Sequence, residues 1–276
     1  MSFFTSLSGL KAAQTDLNVI SNNVANTNST GFKKSKAQFG DLFAAAPTQT
    51  TKTVSGQGVR LNRVTQQFSQ GTLQSTDKTL DIAIAGEGFF AVKGQPPHDD
   101  LTFTRNGALS VRADRQVVDT VGNSAQLFPV DANGIATSTD PADMFDFVLP
   151  EADPSDATAL LANINISNEG VVSATFTNGN QVSLGAVALA SFSALDGLRP
   201  VGDGHWQITG DSGPALFTQA GNGAVGQIRS GSLELANVDI TDELVSLIAA
   251  QRNFQANAQA IETSNTLTQT IINLQV

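Results

Sequence analysis

The sequence predicts a mixed α and β chain. Long N- and C-terminal α-helices pair as a coiled-coil-like unit, and an antiparallel all-β domain fills the middle. Two observations carry the prediction. Both ends repeat apolar residues every seven positions: Phe3, Leu10, Leu17 and Val24 at the start, Ile240, Leu247, Phe254 and Ile261 at the end. That period places each set on one stripe of a helix. Between the ends, short alternating runs are punctuated by Asn-Gly pairs, the strongest short hairpin signal.

The first helix is expected from Ser2 to Ala25, with Gly9 a weak point inside it and a stop in the turn-rich NTNSTG, Asn26 to Gly31. Its second apolar set is weak, since Leu7 is followed by Gln14 and Ser21. At the far end the corresponding positions are Leu244, Gln251 and Ala258. FKKSKAQFGDLFA, ending at Ala44, reads as a short segment with a helical turn. PTQTTKTVSGQG, Pro47 to Gly58, shows no hydrophobic period and reads as an extended linker. The domain boundaries that follow are 1–45 for the first helix and its following segment, 46–70 for the linker, 71–235 for the β domain and 236–276 for the last helix.

Inside the β domain, Leu80, Ile82 and Ile84 alternate, and Gly86 and Gly88 lead into Phe89, Phe90 and Val92. Leu101 and Phe103 precede Asn106-Gly107, with Leu109 and Val111 beyond. Val172, Ala174 and Phe176 precede Asn178-Gly179, with Val182 and Leu184 beyond. Closely spaced short strands indicate a sandwich or irregular barrel. Residues 131–163 are less patterned and read as a loop or small helix. Asp239 or Thr241 caps the last helix, and Asp242 and Glu243 sit in its first turn, where the helix dipole favours negative charge.

The terminal stripes are thin and flanked by Ser, Thr, Asn and Gln; within residues 1–30 the only charges are Lys11 and Asp16. Such a helix has little reason to be stable alone. Two readings fit: the stripes pack onto other copies of the chain, or onto its own globular middle. Backbone ordering costs about 1–2 kcal/mol per residue, which favours many copies sharing the stripes.

Net charge is −10, with residues 1–80 at +5 and the remainder at −15. Opposite halves can attract within a subunit or between neighbours, and the overall field repels nucleic acid. The chain has no cysteine, so disulfides, thiolate chemistry and sulfur-ligated metals are excluded. No run of about 18 apolar residues is present, and the N-terminus lacks the charge and apolar run of a cleaved secretory signal. Export is therefore expected by a route that retains the N-terminus, without membrane insertion.

No catalytic, cofactor or metal site is expected. Gly221-Asn-Gly223-Ala-Val-Gly226 matches a dinucleotide pattern, but QIRSGSLEL after it reads as a β edge instead of a helix. Asp131-Ala-Asn133-Gly134 resembles the start of a calcium loop, yet its next ligand position is Ile135 and its glycine comes two residues early. His98-Asp99-Asp100 reads as a loop tip, and neither His98 nor His205 lies in a nucleophile context.

The run SFFTSLSGLKAAQTDLNVISNNVANTNSTGFKKSKAQFGDLF resembles the N-terminal signature of bacterial flagellar rod and hook proteins. Its centre is Asn22-Asn23-Val24-Ala25-Asn26, followed by Thr30-Gly31-Phe32-Lys33. GSLELANVDITDELVSLIAAQRNFQANAQAIETSNTLTQTIINL is similar to the partner signature at the other end. LDIAIAGEGFFAV and FTRNGALSV resemble pieces of the family's β domain. SFFTSLSGL, AQRNFQANAQAI and LTQTIINL look hook-like, whereas the short span from Val92 to Ser232 is rod-like, since most hook members carry an additional outer domain.

The resemblance implies a structural subunit whose paired terminal helices line a tube around an export channel. It implies a homopolymer that meets the distal rod, hook cap and hook–filament adaptor proteins after passage through the flagellar export apparatus. The assembly seam is then Phe3, Leu7, Leu10, Leu17, Val24, Ile240, Leu244, Leu247, Phe254 and Ile261. Asn22, Asn23, Asn26, Thr30, Gly31 and Phe32 form a turn by which the chain leaves the tube, or else an ordinary helix C-terminus. A monomeric secreted β-domain binding module is the competing class.

Overall fold

A computed structural model describes residues 2–43, 56–95, 99–131, 133–223 and 225–274. The chain divides into two compact units, Met1–Thr27 with Lys33–Gln67 and Val238–Val276, and Asn28–Phe32 with Phe68–Asn237.

The first unit holds helix α1 (Ser2–Ala25), strands β1 (Ser35–Phe43) and β2 (Gly56–Gln66), and helix α2 (Ile240–Leu274). The two helices run antiparallel: Asn23 reaches Glu243 at one end, and Gly9 faces Asn257 nearer the other. A β-carbon on Gly9 would lie 2.6 Å from the Asn257 side-chain oxygen, so the glycine that weakens the isolated helix permits close approach. The covered positions of α2 are Glu243, Leu247, Ala250, Phe254, Asn257, Ile261 and Ser264, alternately four and three apart, with Ala258 beside Asn257. Asp239 starts α2, its carboxylate accepting the Thr241 N–H at 2.8 Å.

Residues 35–43 form a strand, not the expected helical turn, and residues 56–66 pair with it as a strand, not a linker. Of the rest of the expected linker, 46–55 lies outside the described residues and 67–70 belongs to no strand or helix. Register shifts at Gln38/Phe39 and Asp41/Phe43 explain the misreading: bulges interrupt the period of two that marks a strand in sequence. The ribbon packs on α1, where the Ser8 hydroxyl accepts the Val59 N–H at 3.2 Å.

The second unit is an antiparallel β body. Its short strands include β3 (Leu73–Ser75), β4 (Ile82–Ala85), β5 (Phe89–Lys93) and β6 (Leu101–Thr104). The main sheet runs from Ala152–Asp153 through 156–166, 171–176, 181–187 and 124–128 to β5, β6, 205–207 and 199–202. One core gathers Ile82, Ile84, Phe90, Leu127, Phe147, Val172, Leu189 and Ile228. A second is aromatic, with Phe68, Phe89 and Trp206 in edge-to-face contact at 5.4–5.5 Å.

The hairpin at Asn178-Gly179 forms, with Gly179 at φ 83°. The one expected at Asn106-Gly107 does not. β6 pairs instead with β5 and with 205–207, and Ser110–Val111 pairs with Val117–Val118. Gly107 is drawn to the backbone of Ile82, whose N–H donates to its carbonyl at 3.0 Å. In the weakly patterned 131–163 region the structure has strands at 145–146, 152–153 and 156–166 and one turn of 3-10 helix at 141–143. Strand 156–166 is largely exposed, which removes the apolar alternation that would reveal it.

Candidate assembly site

The first unit is held by polar nodes more than by an apolar core. Asn23, 2% exposed, binds Ser35 as a neighbouring strand would. Its Oδ1 accepts the Ser35 N–H and its Nδ2 donates to the Ser35 carbonyl, both at 2.9 Å. The same Nδ2 reaches Glu243 Oε2 at 3.3 Å. One amide thus fastens α1, β1 and α2. Beside it a cavity of about 320 Å³ is lined by Asp16, Ile20, Asn23, Lys36, Asp242 and Glu243, among others. Burial pushes the Asp16 carboxyl above its ordinary range, and Lys36 offsets part of that.

In the second unit the end of the signature turn is fixed just as firmly. Gly31 has φ 70°, and a β-carbon there would lie 2.6 Å from the Asn106 nitrogen. Both facts demand glycine. The Gly31 N–H donates to the Glu234 carbonyl at 2.7 Å. The Glu234 carboxylate accepts the Gly71 N–H at 2.8 Å and pairs with Arg105 at 3.3 Å, both side chains being fully buried. Arg105 also donates to the Gly86 carbonyl at 2.9 Å and lies over the Phe89 ring. Burial pulls its guanidinium below the usual arginine range, with Glu234 and Glu87 acting in opposition.

Of the expected seam, Phe3, Leu7, Leu10, Leu17 and Val24 are half-buried on α1, and Leu247, Phe254 and Ile261 are half-buried on α2. Ile240, one heptad before Leu247, is 49% exposed because α1 ends beside it, and Leu244 is 46% exposed, outside the stripe that faces α1. The second set along α2 is therefore Glu243, Ala250 and Asn257, one residue earlier than Leu244 and Gln251, while the expected Ala258 is half-buried beside Asn257. Asn22 is exposed, Asn26, Thr30 and Phe32 are half-buried, and Asn23 and Gly31 are buried. Sequence reasoning missed Glu243 as a seam residue and the Arg105–Glu234 pair. An acid expected to serve a helix dipole and an arginine beside a turn carry no sign of burial.

The excluded chemistries are accounted for locally. Asp131 Oδ1 accepts the N–H groups of Asn133 and Ile135, both at 2.9 Å, closing a turn. The Gly221 N–H donates to the Gly226 carbonyl, and a strand follows at 227–230. His98 lies outside the described residues. His205 is buried against Asp119, Nε2 to Oδ2 at 2.7 Å. Burial alone would raise the Asp119 carboxyl, but hydrogen bonds from His205 and Asn123 leave it below its ordinary range. Among the described residues no group of three or more metal-ligating side chains occurs, and no helix is long and apolar enough to cross a membrane.

Three family descriptions match: flagella basal body rod protein over residues 4–33, flagellar hook protein FlgE/F/G D1 domain over 83–174, and flagellar basal body rod FlgEFG protein C-terminal over 229–274. The flagellar basal-body rod protein FlgG of Buchnera aphidicola (Schizaphis graminum) is 32% identical, covering 99% of both chains. FlgG of Bacillus subtilis is 31% identical, covering 99% of this chain and 98% of its own. The chain belongs to the flagellar rod and hook protein family. The hook protein FlgE of Salmonella typhimurium is 26% identical over an alignment of 411 residues, covering 99% of this chain and all of its own. The rod–hook family is structural, not enzymatic. Asn23 and Gly31 fall within the part matched at the N-terminus, and Glu243 within that matched at the C-terminus.

Proposed function

We propose that this chain polymerises in many copies into a tubular segment of the flagellar axis, that the segment is the hook, and that the terminal helices line its central export channel. The observation that carries the polymer reading is the apolar surface left uncovered on α2: Ile240, Leu244, Val245, Ile248, Leu267, Ile271 and Ile272 are 46–63% exposed. One helix exposing so much aliphatic surface in a chain with only 40% hydrophobic residues marks an interaction face. In this reading the half-buried stripes of both helices form the coiled-coil-like inner tube. The subunit leaves the cell by the flagellar export apparatus without a cleaved signal, and the segment joins the distal rod below and the cap and adaptor proteins above.

The hook-like phrases at both ends support the hook. A specific observation favours a second reading, the distal rod: FlgG relatives align with this chain at nearly equal length, whereas FlgE aligns over 411 positions. Disruption of the gene followed by electron microscopy of isolated basal bodies separates the two. Loss of the curved segment above an intact rod supports the hook, and a missing distal rod refutes it.

A further inference from the structure

His205 joins two loops at the outer end of the main sheet. Strand 199–202 is the last of that sheet and is exposed along its whole length. Its pairing with 205–207 is thin, because Pro200 has no N–H to give. The turn between them is Asp203-Gly204, at φ 51° and 73°, the pair of positive angles that suits a two-residue hairpin. His205 follows, 4% exposed. Its Nδ1 lies 3.0 Å from the Asp203 carbonyl, and its Nε2 lies 2.7 Å from Asp119 Oδ2.

Both neighbours of the ring are acceptors. A carbonyl oxygen has no proton to offer, and a neutral imidazole carries only one N–H. Asp119 does not supply the missing proton. Its Oδ1 accepts the N–H groups of Val121, Gly122 and Asn123 at 2.7–2.9 Å, and its Oδ2 accepts the Asn123 amide at 3.0 Å. Those contacts favour the ionised carboxylate. Burial acts the other way, yet the hydrogen bonds from His205 and Asn123 hold this carboxyl below its ordinary range. We propose that His205 is a protonation latch. Charged, it ties the Asp203-Gly204 turn to the loop at Asp119–Asn123; on losing a proton it keeps Asp119 and lets go of the turn. The bond that survives is the one to the carboxylate, because hydrogen bonds to ionised groups are the stronger.

The charged groups around the ring agree. Asp119 faces it from the loop, and Asp100 and Asp203 line the cavity of about 380 Å³ beside it. The arginines nearby serve other partners: Arg112 the Gly122 carbonyl, Arg199 the Gln207 side chain and Arg105 the Glu234 carboxylate. Lys93 stands at the end of β5, next to the cavity-lining Gly94. On β6, the Thr104 hydroxyl donates to the Gly204 carbonyl at 2.8 Å, which confines the release to residues 199–203. The outer edge of the sheet is therefore held while the ring is charged and loosened as rising pH discharges it.

The test follows the imidazole nitrogens of the nitrogen-15-labelled full-length chain by NMR in dilute solution. His98→Gln leaves His205 as the one histidine signal. At neutral pH both ring nitrogens should give the shifts of protonated sites. On raising the pH, Nδ1 alone should lose its proton. Amide hydrogen exchange at Arg199, Val201, Gly202 and Asp203 should then rise about tenfold beyond the base-catalysed increase shared by strand 124–128. His205→Gln, which cannot titrate, should exchange at this edge without that step, and the titration of the histidine chain decides alone if the variant fails to fold. One bare ring nitrogen at neutral pH, or an edge whose exchange ignores the loss of the proton, would overturn the latch. Both results leave the polymer reading untouched.

Discussion

The two units are built from the same pool of residues and stabilised differently. The β body buries Phe89, Phe103, Phe128, Phe147, Phe176, Trp206, Ile82 and Ile84 almost completely. Among the described residues, the buried apolar side chains of the helical unit are Ala13, Ile20, Ala37 and Ala250. A large buried aromatic or aliphatic side chain contributes about 1.5–3 kcal/mol, and alanine far less. One unit holds its own core, whereas the other is held by asparagines, glycines and half-covered leucines. In the proposed polymer, this difference would let a subunit arrive with a finished body and complete its helices only when neighbours cover them.

Proteolysis in dilute solution tests that contrast with the largest expected effect. Trypsin should cut at exposed Lys11, Lys36 and Arg252 orders of magnitude faster than within the β body, leaving a resistant fragment of roughly residues 68–237, since cleavage follows the free energy of local opening. Protection of Lys11 and Arg252 in a verified monomer would mean that the helices are stable without neighbours. Next in size is the seam. Leu247→Asp or Phe254→Asp should abolish tube formation while leaving the near-ultraviolet signal of Trp206 unchanged. An unpaired carboxylate in a covered stripe costs several kcal/mol in each copy, and normal tubes from either variant would place these residues at the surface.

How legible this is from sequence depends on whether a residue's role is set by its immediate neighbours. The helices are legible because periodicity and the Asp239 cap are local. The Gly31 turn is legible because a cluster of turn formers points to positive φ by its composition alone. The ribbon at 35–66 is hidden by its bulges. Asn23 is hidden because its partner, Ser35, becomes a strand residue only in the folded unit. The main stripe of α2 lies where the period puts it, but its second set is read one residue late at Leu244 and Gln251, because helix contact at Glu243 and Ala250 uses a small or polar side chain while the apolar pattern draws the eye to Leu244.

A smaller effect is expected within the β body at its buried ion pair. Glu234→Ala leaves Arg105 charged and buried and removes the acceptor of the Gly71 N–H. Breaking such a pair from one side costs about 3–5 kcal/mol. The variant should lose that much in urea denaturation followed by Trp206 fluorescence, with the helical unit's far-ultraviolet signal less affected. A helical signal whose midpoint falls in step with that of Trp206 would show that the two units unfold together, which would blunt the contrast between them.

The smallest effect is a pH dependence confined to one edge of the β body. Asp153 Oδ2 accepts the side-chain amides of Asn178 at 2.9 Å and Asn180 at 2.8 Å, and Oδ1 accepts the Ser155 N–H at 2.8 Å. The hydrogen bond from Asn178 leads in lowering this carboxyl from 3.8 to about 2, followed by those from Ser155 and Asn180. A carboxyl whose value is lower in the folded chain stabilises the fold when ionised. Its contribution is present above pH 4 and is lost as pH falls from about 4 to 2. Asp153→Asn should therefore lower stability modestly at pH 7, and the difference from wild type should shrink over that interval. A difference that stays constant from pH 7 to pH 2 would show that the clasp on the Asn178-Gly179 hairpin works through shape alone and not through the carboxylate's charge.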